Sequence, residues 1–129
     1  MANTLSYLLT CGRVIKDQNT QFFTYLDVFD MLVIPKGSEF LIQSFCVAGK
    51  LHLDISGQVE AKIKFIYPDG TESIPSSVSG IVNPGYLEIT ASFNMVKFSQ
   101  IGKHYLKVNF QGEQLETSNK FYFEVIKQP

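Results

Sequence analysis

Side chains able to do chemistry are few in this sequence and far apart. His52 and Asp54 lie two positions apart in an alternating stretch, so on a strand they share a face and could supply two metal ligands. Zinc sites use three or four ligands. The other histidine, His104, stands beside Tyr105 far along the chain, and reads as a partly buried or surface strand residue. No metal or cofactor is expected. Cys11, Cys46 and the serines could act as nucleophiles, but the sequence has only two histidines to serve as base. It contains neither a Gly-x-Ser-x-Gly elbow nor a cysteine-protease signature. Ser79-Gly80 and Gly85 lie in a stretch with no basic residue and no following helix to cradle a phosphate. Glu60, Asp69, Glu72 and Glu88 are scattered as wet strand faces and turns require. No residue is assigned a catalytic role, and the chain is read as a non-enzyme.

Other residues suggest pairing and contact. Arg13, Asp27 and Asp30 are charged residues in apolar surroundings. If the first two strands form a hairpin, Arg13 and Asp27 stand diagonally across it, within reach of a structural ion pair; the competing reading gives Arg13 to a partner's carboxylate. Tyr105 enters a strand just after a turn, as the tyrosine of a tyrosine corner does. Phe22, Phe23, Tyr25 and Phe29 occupy both parities of one stretch, and Tyr122 opposes Phe121 and Phe123. Phe22, Tyr25 and Tyr122 are therefore candidates for an exposed interaction patch, against the alternative of a second small cluster beneath a loop. The segment from Pro68 to Gly85 holds Ser73, Ser76, Ser77, Ser79, Pro75, Pro84 and three glycines with little alternation. It reads as a long loop, with Ser76 and Ser77 as candidate contacts, or as a connection crossing between sheets.

The elements that must position these residues are strands. Val59, Ala61, Ile63, Phe65 and Tyr67 alternate with Glu60, Lys62 and Lys64 and end at Pro68-Asp69-Gly70, a period of two closed by a turn. Leu87, Ile89, Ala91, Phe93 and Met95 alternate in the same way, as do Leu106, Val108 and Phe110. Phe121, Phe123 and Val125 follow a turn-like Gln111-Gly112-Glu113, predicting a hairpin. Leu5, Tyr7, Leu9 and Cys11 share a parity, and Lys16-Asp17-Gln18-Asn19 separates them from a second strand running from about Phe22 to Val33. Gly49 interrupts the next strand, where a bulge is expected. No stretch has helical spacing over ten or more residues. Seven to eight strands cannot all bury a face in one open sheet, which leaves two packed sheets or a closed barrel; the first choice is a single all-β domain over residues 1–129, an antiparallel immunoglobulin-like β-sandwich.

Bulk composition narrows the partners. A chain of 129 residues that is 45% hydrophobic, with 11 Phe, 6 Tyr and no Trp, can fill one core. Eleven basic and 12 acidic residues leave a net charge of -1, which provides no field for nucleic acid or anionic membrane. The amino-terminal residues lack the features of a secretory signal, and no run is long enough for a membrane-spanning helix. The expected location is cytoplasmic, with both cysteines reduced.

Four stretches, spread over almost the whole chain, carry a resemblance: Leu8-Leu9-Thr10-Cys11-Gly12-Arg13-Val14, Val28-Phe29-Asp30, Pro68-Asp69-Gly70 and Gly102-Lys103-His104-Tyr105. Together they resemble a family of small bacterial and phage β-sandwich domains of unknown function. The chain departs from the family pattern at Gly12, where members carry alanine, at Asp27, where they carry glycine, and in the spacing of Gly102 and Tyr105. The resemblance implies an immunoglobulin-like sandwich and no established activity. The functional expectation is a protein-interaction or structural module, its partner another protein or a second copy of itself. The alternative is a small-ligand or glycan-binding domain that uses aromatic rings as platforms.

Overall fold

In a computed structural model of the chain, the described backbone covers residues 4–20, 22–53, 57–82, 85–110, 113–114 and 121–129, with side chains described at all of these except 80–82 and 113–114. The elements are β1 (Thr4–Cys11), β2 (Arg13–Lys16), β3 (Phe23–Leu26), β4 (Met31–Ile34), β5 (Leu41–Leu53), β6 (Gly57–Ile66), β7 (Ser76–Val82), β8 (Gly85–Phe98), β9 (Gly102–Phe110), β10 (Glu113–Gln114) and β11 (Tyr122–Lys127). These are eleven strands where seven to eight were expected, and no helix occurs among the described residues.

The protein is all-β, with three sheets. The smaller principal sheet has the order β1-β5-β8, and the larger has the order β4-β11-β9-β6-β7 with β10 beside β9. The larger sheet curls into a half-barrel and is mixed, because β4 runs parallel to β11 while its other pairs are antiparallel. The third sheet is the hairpin β2-β3. It covers the outer face of β1-β5-β8, where the Tyr25 hydroxyl lies 2.9 Å from that of Tyr7.

Alternation dictates what is buried. Val59, Ala61, Ile63 and Phe65 of β6 point inward, as do Leu106, Val108 and Phe110 of β9 and Phe123 and Val125 of β11. From the other sheet come Phe45, Val47, Leu51 and Leu53 of β5 and Leu87, Ile89, Ala91 and Phe93 of β8. Five phenylalanine rings surround Phe45, with centroids of Phe29, Phe65, Phe93, Phe98 and Phe123 between 5.2 and 6.0 Å away. Fully burying such a ring is worth roughly 1.5–3 kcal/mol by area, so much of the aromatic surplus is core.

Bulges decide the places where parity misleads. A register shift between Leu5 and Tyr7 turns Leu8 and Thr10 to the core and leaves Cys11 buried on the opposite face, under the hairpin. In β8, Asn94 and Met95 together face Ser44 of β5. The extra residue moves the inward set from Phe93 to Val96 and Phe98, and Met95, expected in the core, is 72% exposed. No bulge occurs at Gly49, which pairs with both Leu8 and Ile89. Its place there is steric, since a Cβ would stand 2.6 Å from both Leu8 Cδ2 and the Tyr7 carbonyl oxygen.

The expected strand from Phe22 to Val33 is two strands in different sheets. Asp27, with φ 55, breaks it and sends β3 back to β2 and β4 on to β11. Part of the expected 68–85 loop is the edge strand β7. The predicted hairpin partners β9 and β11 do pair, Tyr105 facing Tyr122; residues 111 and 112 of the predicted turn lie outside the described residues. No helix is long and apolar enough to cross a membrane among the described residues.

Candidate binding cleft between the sheet edges

Strand β7 is the last strand of the larger sheet and β8 the last of the smaller, so consecutive strands lie on separate sheet edges, with no ladder between them among the described residues. Where the two edges part, a cavity of about 440 Å³ opens between Ser73–Ser76 on one side and Ser92–Lys97 on the other, with Phe65 and Tyr67 completing its lining. That is within the ordinary range for ligand pockets.

Each wall contains a bulge. Opposite β6, Ile66 bridges Glu72 and Ile63 pairs with Ser76, so Ser73, Ile74 and Pro75 span the space of Lys64 and Phe65. The extra residue pushes Ile74 out, and it is 87% exposed. Pro75 has no N–H to offer a new strand, a common way of blunting an edge. Ser73 fixes this wall: its N–H donates to the Phe65 carbonyl at 2.9 Å, and its Oγ accepts the Phe65 N–H at 2.9 Å. Below it, Thr71 donates from both N–H and hydroxyl to Asp69, and these bonds hold the Asp69 carboxyl below its usual range.

The β8 wall is built differently. Met95 has φ 52 and its N–H donates to Ser44 Oγ at 2.9 Å. A left-handed residue with a side chain costs of order 1 kcal/mol, and glycine or asparagine is the usual occupant. Here a long, apolar and exposed side chain takes that position at the mouth of a cavity.

The lining combines aromatic and aliphatic surface with Ser73, Ser76, Ser92 and Asn94. Lys97, in the lining, lies over the Phe40 ring at 4.6 Å. Burial and the nearby Asp69 charge push the Tyr67 hydroxyl up, so it stays protonated at neutral pH. Among the described residues, the lining contains no carboxylate, imidazole or thiol.

The sequence candidates are dispersed. Ser76 lines the cleft, while Ser77, its neighbour in β7, is exposed and not part of the lining. Phe22 is 72% exposed at the end of the β2-β3 hairpin. Tyr25 corrects the expectation of an exposed patch, because it is half-buried and bonded to Tyr7. Tyr122 is partly exposed on the outside of the larger sheet, with Lys103 Nζ 4.6 Å above its ring. Tyr105 makes no corner: it faces outward in mid-strand, its ring 5.8 Å from that of Tyr122, and no bond from its hydroxyl to the backbone exists among the described residues. Arg13 and Asp27 form no ion pair among the described residues. The left-handed backbone of Asp27 takes its carboxylate out of the ladder toward Gly12, where a Cβ would meet Oδ2 at 3.4 Å.

The histidines are equally separate. His52 is exposed, and Asp54 lies outside the described residues. His104 corrects the expectation of a partly buried or surface residue: it is 0% exposed, stacked on Phe123 at 5.0 Å, with Nδ1 3.1 Å from the Gly102 carbonyl oxygen. Burial pushes its pKa down. No group of three or more potential metal ligands occurs among the described residues. Ile74, Asn94 and Met95 were missed from sequence as cleft residues; the available signal was Pro75, immediately before what proves to be an edge strand. No family model matches the chain, and no curated protein matches it.

Proposed function

We propose that this chain is a non-enzymatic protein-interaction module that receives an extended segment of another polypeptide in the cleft between β7 and β8. The observation that carries the reading is the cavity itself, bounded by an unpaired strand edge and flanked by the protruding Ile74 and Met95. An edge strand presents backbone donors and acceptors that another strand can satisfy. Pro75 blunts the β7 side, which favours β8 as the pairing edge. Two apolar side chains at the mouth suit an apolar anchor from the partner. A second copy of the chain has its own β8 flanked by Ile74 and Pro75, so it would have to offer a different segment.

We also infer an immunoglobulin-like sandwich related to the small bacterial and phage domains that the sequence resembles. Two packed sheets support this, as does Asp27, which has the backbone glycine favours at a position where that family carries glycine. A small-ligand or glycan reading is favoured by the half-buried Tyr67 ring beside hydroxyl and amide groups.

The test is nuclear magnetic resonance on the isotopically labelled chain, titrated with pools of short β-forming peptides and, separately, with simple oligosaccharides. Peptide-induced shifts confined to residues 73–76 and 92–97, and abolished by Met95→Asp, support the proposal. Shifts there with sugars alone favour the second reading. Peptide shifts elsewhere, or none, overturn the first.

A further inference from the structure

Cys11 and Cys46 are directly opposed across the β1-β5 ladder, and both are free thiols. Directly opposed residues of antiparallel strands share a face, with Cα atoms about 4.5–5.5 Å apart, inside the range a disulfide spans. The two thiols differ in access. Cys11 is 0% exposed beneath the β2-β3 hairpin. Cys46 is half-buried, with Sγ 4.0 Å from the Gly12 carbonyl oxygen and 3.8 Å from Ser92 Oγ on its other flank.

We propose that this pair is a reversible redox site: a low-molecular-weight disulfide oxidises Cys11 and Cys46 to a cross-strand disulfide in the folded protein. The Cys46 thiolate, the more accessible, attacks the oxidant's S–S bond, forming a mixed disulfide and releasing one reduced small thiol. The Cys11 thiolate then attacks Cys46 Sγ, expelling the second. Two protein thiols lose two electrons and two protons, and one oxidant disulfide becomes two thiols. Cys11 suits the second role, because burial and the Cys46 charge hold its thiol up and capping Cys46 removes the latter. Opposed Cβ atoms are usually farther apart than disulfide Cβ atoms, so closure draws the strands together and leaves a bond that small thiols reopen.

The experiment is exposure of the full chain to oxidised glutathione below its unfolding temperature, followed by intact mass and thiol counting. The expected product has lost two hydrogens, retains no glutathione, is monomeric, and regains both thiols with dithiothreitol. Cys11→Ser should stop at one glutathione on Cys46, and Cys46→Ser should react at least tenfold more slowly than the intact chain. Persistent glutathione on the intact chain, cross-linked chains, unreactive thiols, or a rate that rises with urea in step with global unfolding would each overturn the proposal. The mass series on the intact chain decides the matter even if a variant fails to fold.

Discussion

The two open sides of the molecule pose the same problem and meet it differently. On one side, the edge of β1 faces the larger sheet, and the segment from Asp27 to Asp30 joins the two. Phe29 and Thr10 bridge, with the Phe29 N–H donating to Thr10 at 3.0 Å and the Thr10 hydroxyl donating back to the Phe29 carbonyl. Glu124 donates its N–H to the Asp30 carbonyl at 2.8 Å, and the Phe29 ring lies on Phe45 and Phe123. A cavity of about 340 Å³ remains there, lined by Phe29 and Tyr122 among others, but its backbone edge is tied. On the other side, no such segment pairs with the outer edge of β8 among the described residues. Ile74 and Met95 protrude there instead of folding inward. One side is therefore tied by backbone bonds, and the other is the side that the proposed function assigns to a partner.

If that contrast is right, mutations on the two sides should separate cleanly. Phe29→Ala should have the largest effect, a loss of about 3 kcal/mol in urea unfolding, the low end for a core phenylalanine because this ring is only half-buried. Thr10→Val should cost about 1–2 kcal/mol, since it leaves the Phe29 carbonyl without its hydroxyl donor while keeping the volume. A Phe29→Ala protein as stable as the parent would mean the stitch is ornamental.

Most of the strand content was legible because alternation survives in β6, β9 and most of β8, where one face is wet and the other dry. The bulges were not legible. A single inserted residue at Met95, or a slip between Leu5 and Tyr7, reverses every later side chain without altering the local pattern of residue types. The cleft was hidden for the same reason, as both of its walls are bulges. Asp27 illustrates a further limit. Its charge suggested an ion pair, whereas its place is set by a backbone angle that residue type alone does not reveal. The phenylalanines suggested a sticky surface, but with positions in hand most of them cluster around Phe45.

His104 connects the two sides, its ring contacting Tyr67 of the cleft at 5.4 Å and Phe123, which touches Phe29, at 5.0 Å. Burial lowers its pKa below the ordinary 6.5, and Nε2 has no hydrogen-bond partner among the described residues. Below pH 6.5 the unfolded chain therefore takes up a proton that the folded core excludes, so this contribution to stability is complete above that pH and falls as the pH drops toward the folded pKa. The slope should approach, at most, about 1.4 kcal/mol per pH unit, the limit for one proton. His104→Phe should flatten the unfolding midpoint between pH 6.5 and 5. An equal slope in His104→Phe would place the acid sensitivity elsewhere.

The smallest expected effect tests the open side itself. Met95→Gly removes an exposed side chain and relaxes a left-handed residue, so the chain should be unchanged or up to about 1 kcal/mol more stable. A Met95 retained only for packing would instead cost stability when removed, like a core methionine, by 2 kcal/mol or more. Urea unfolding distinguishes these outcomes. A gain in stability joined to a loss of peptide-induced shifts at residues 92–97 would identify Met95 as a position where the fold accepts strain to keep a binding side chain at the cleft mouth. A stability loss as large as that of Phe29→Ala would make the two sides equivalent and remove the reason to treat the cleft as the binding side.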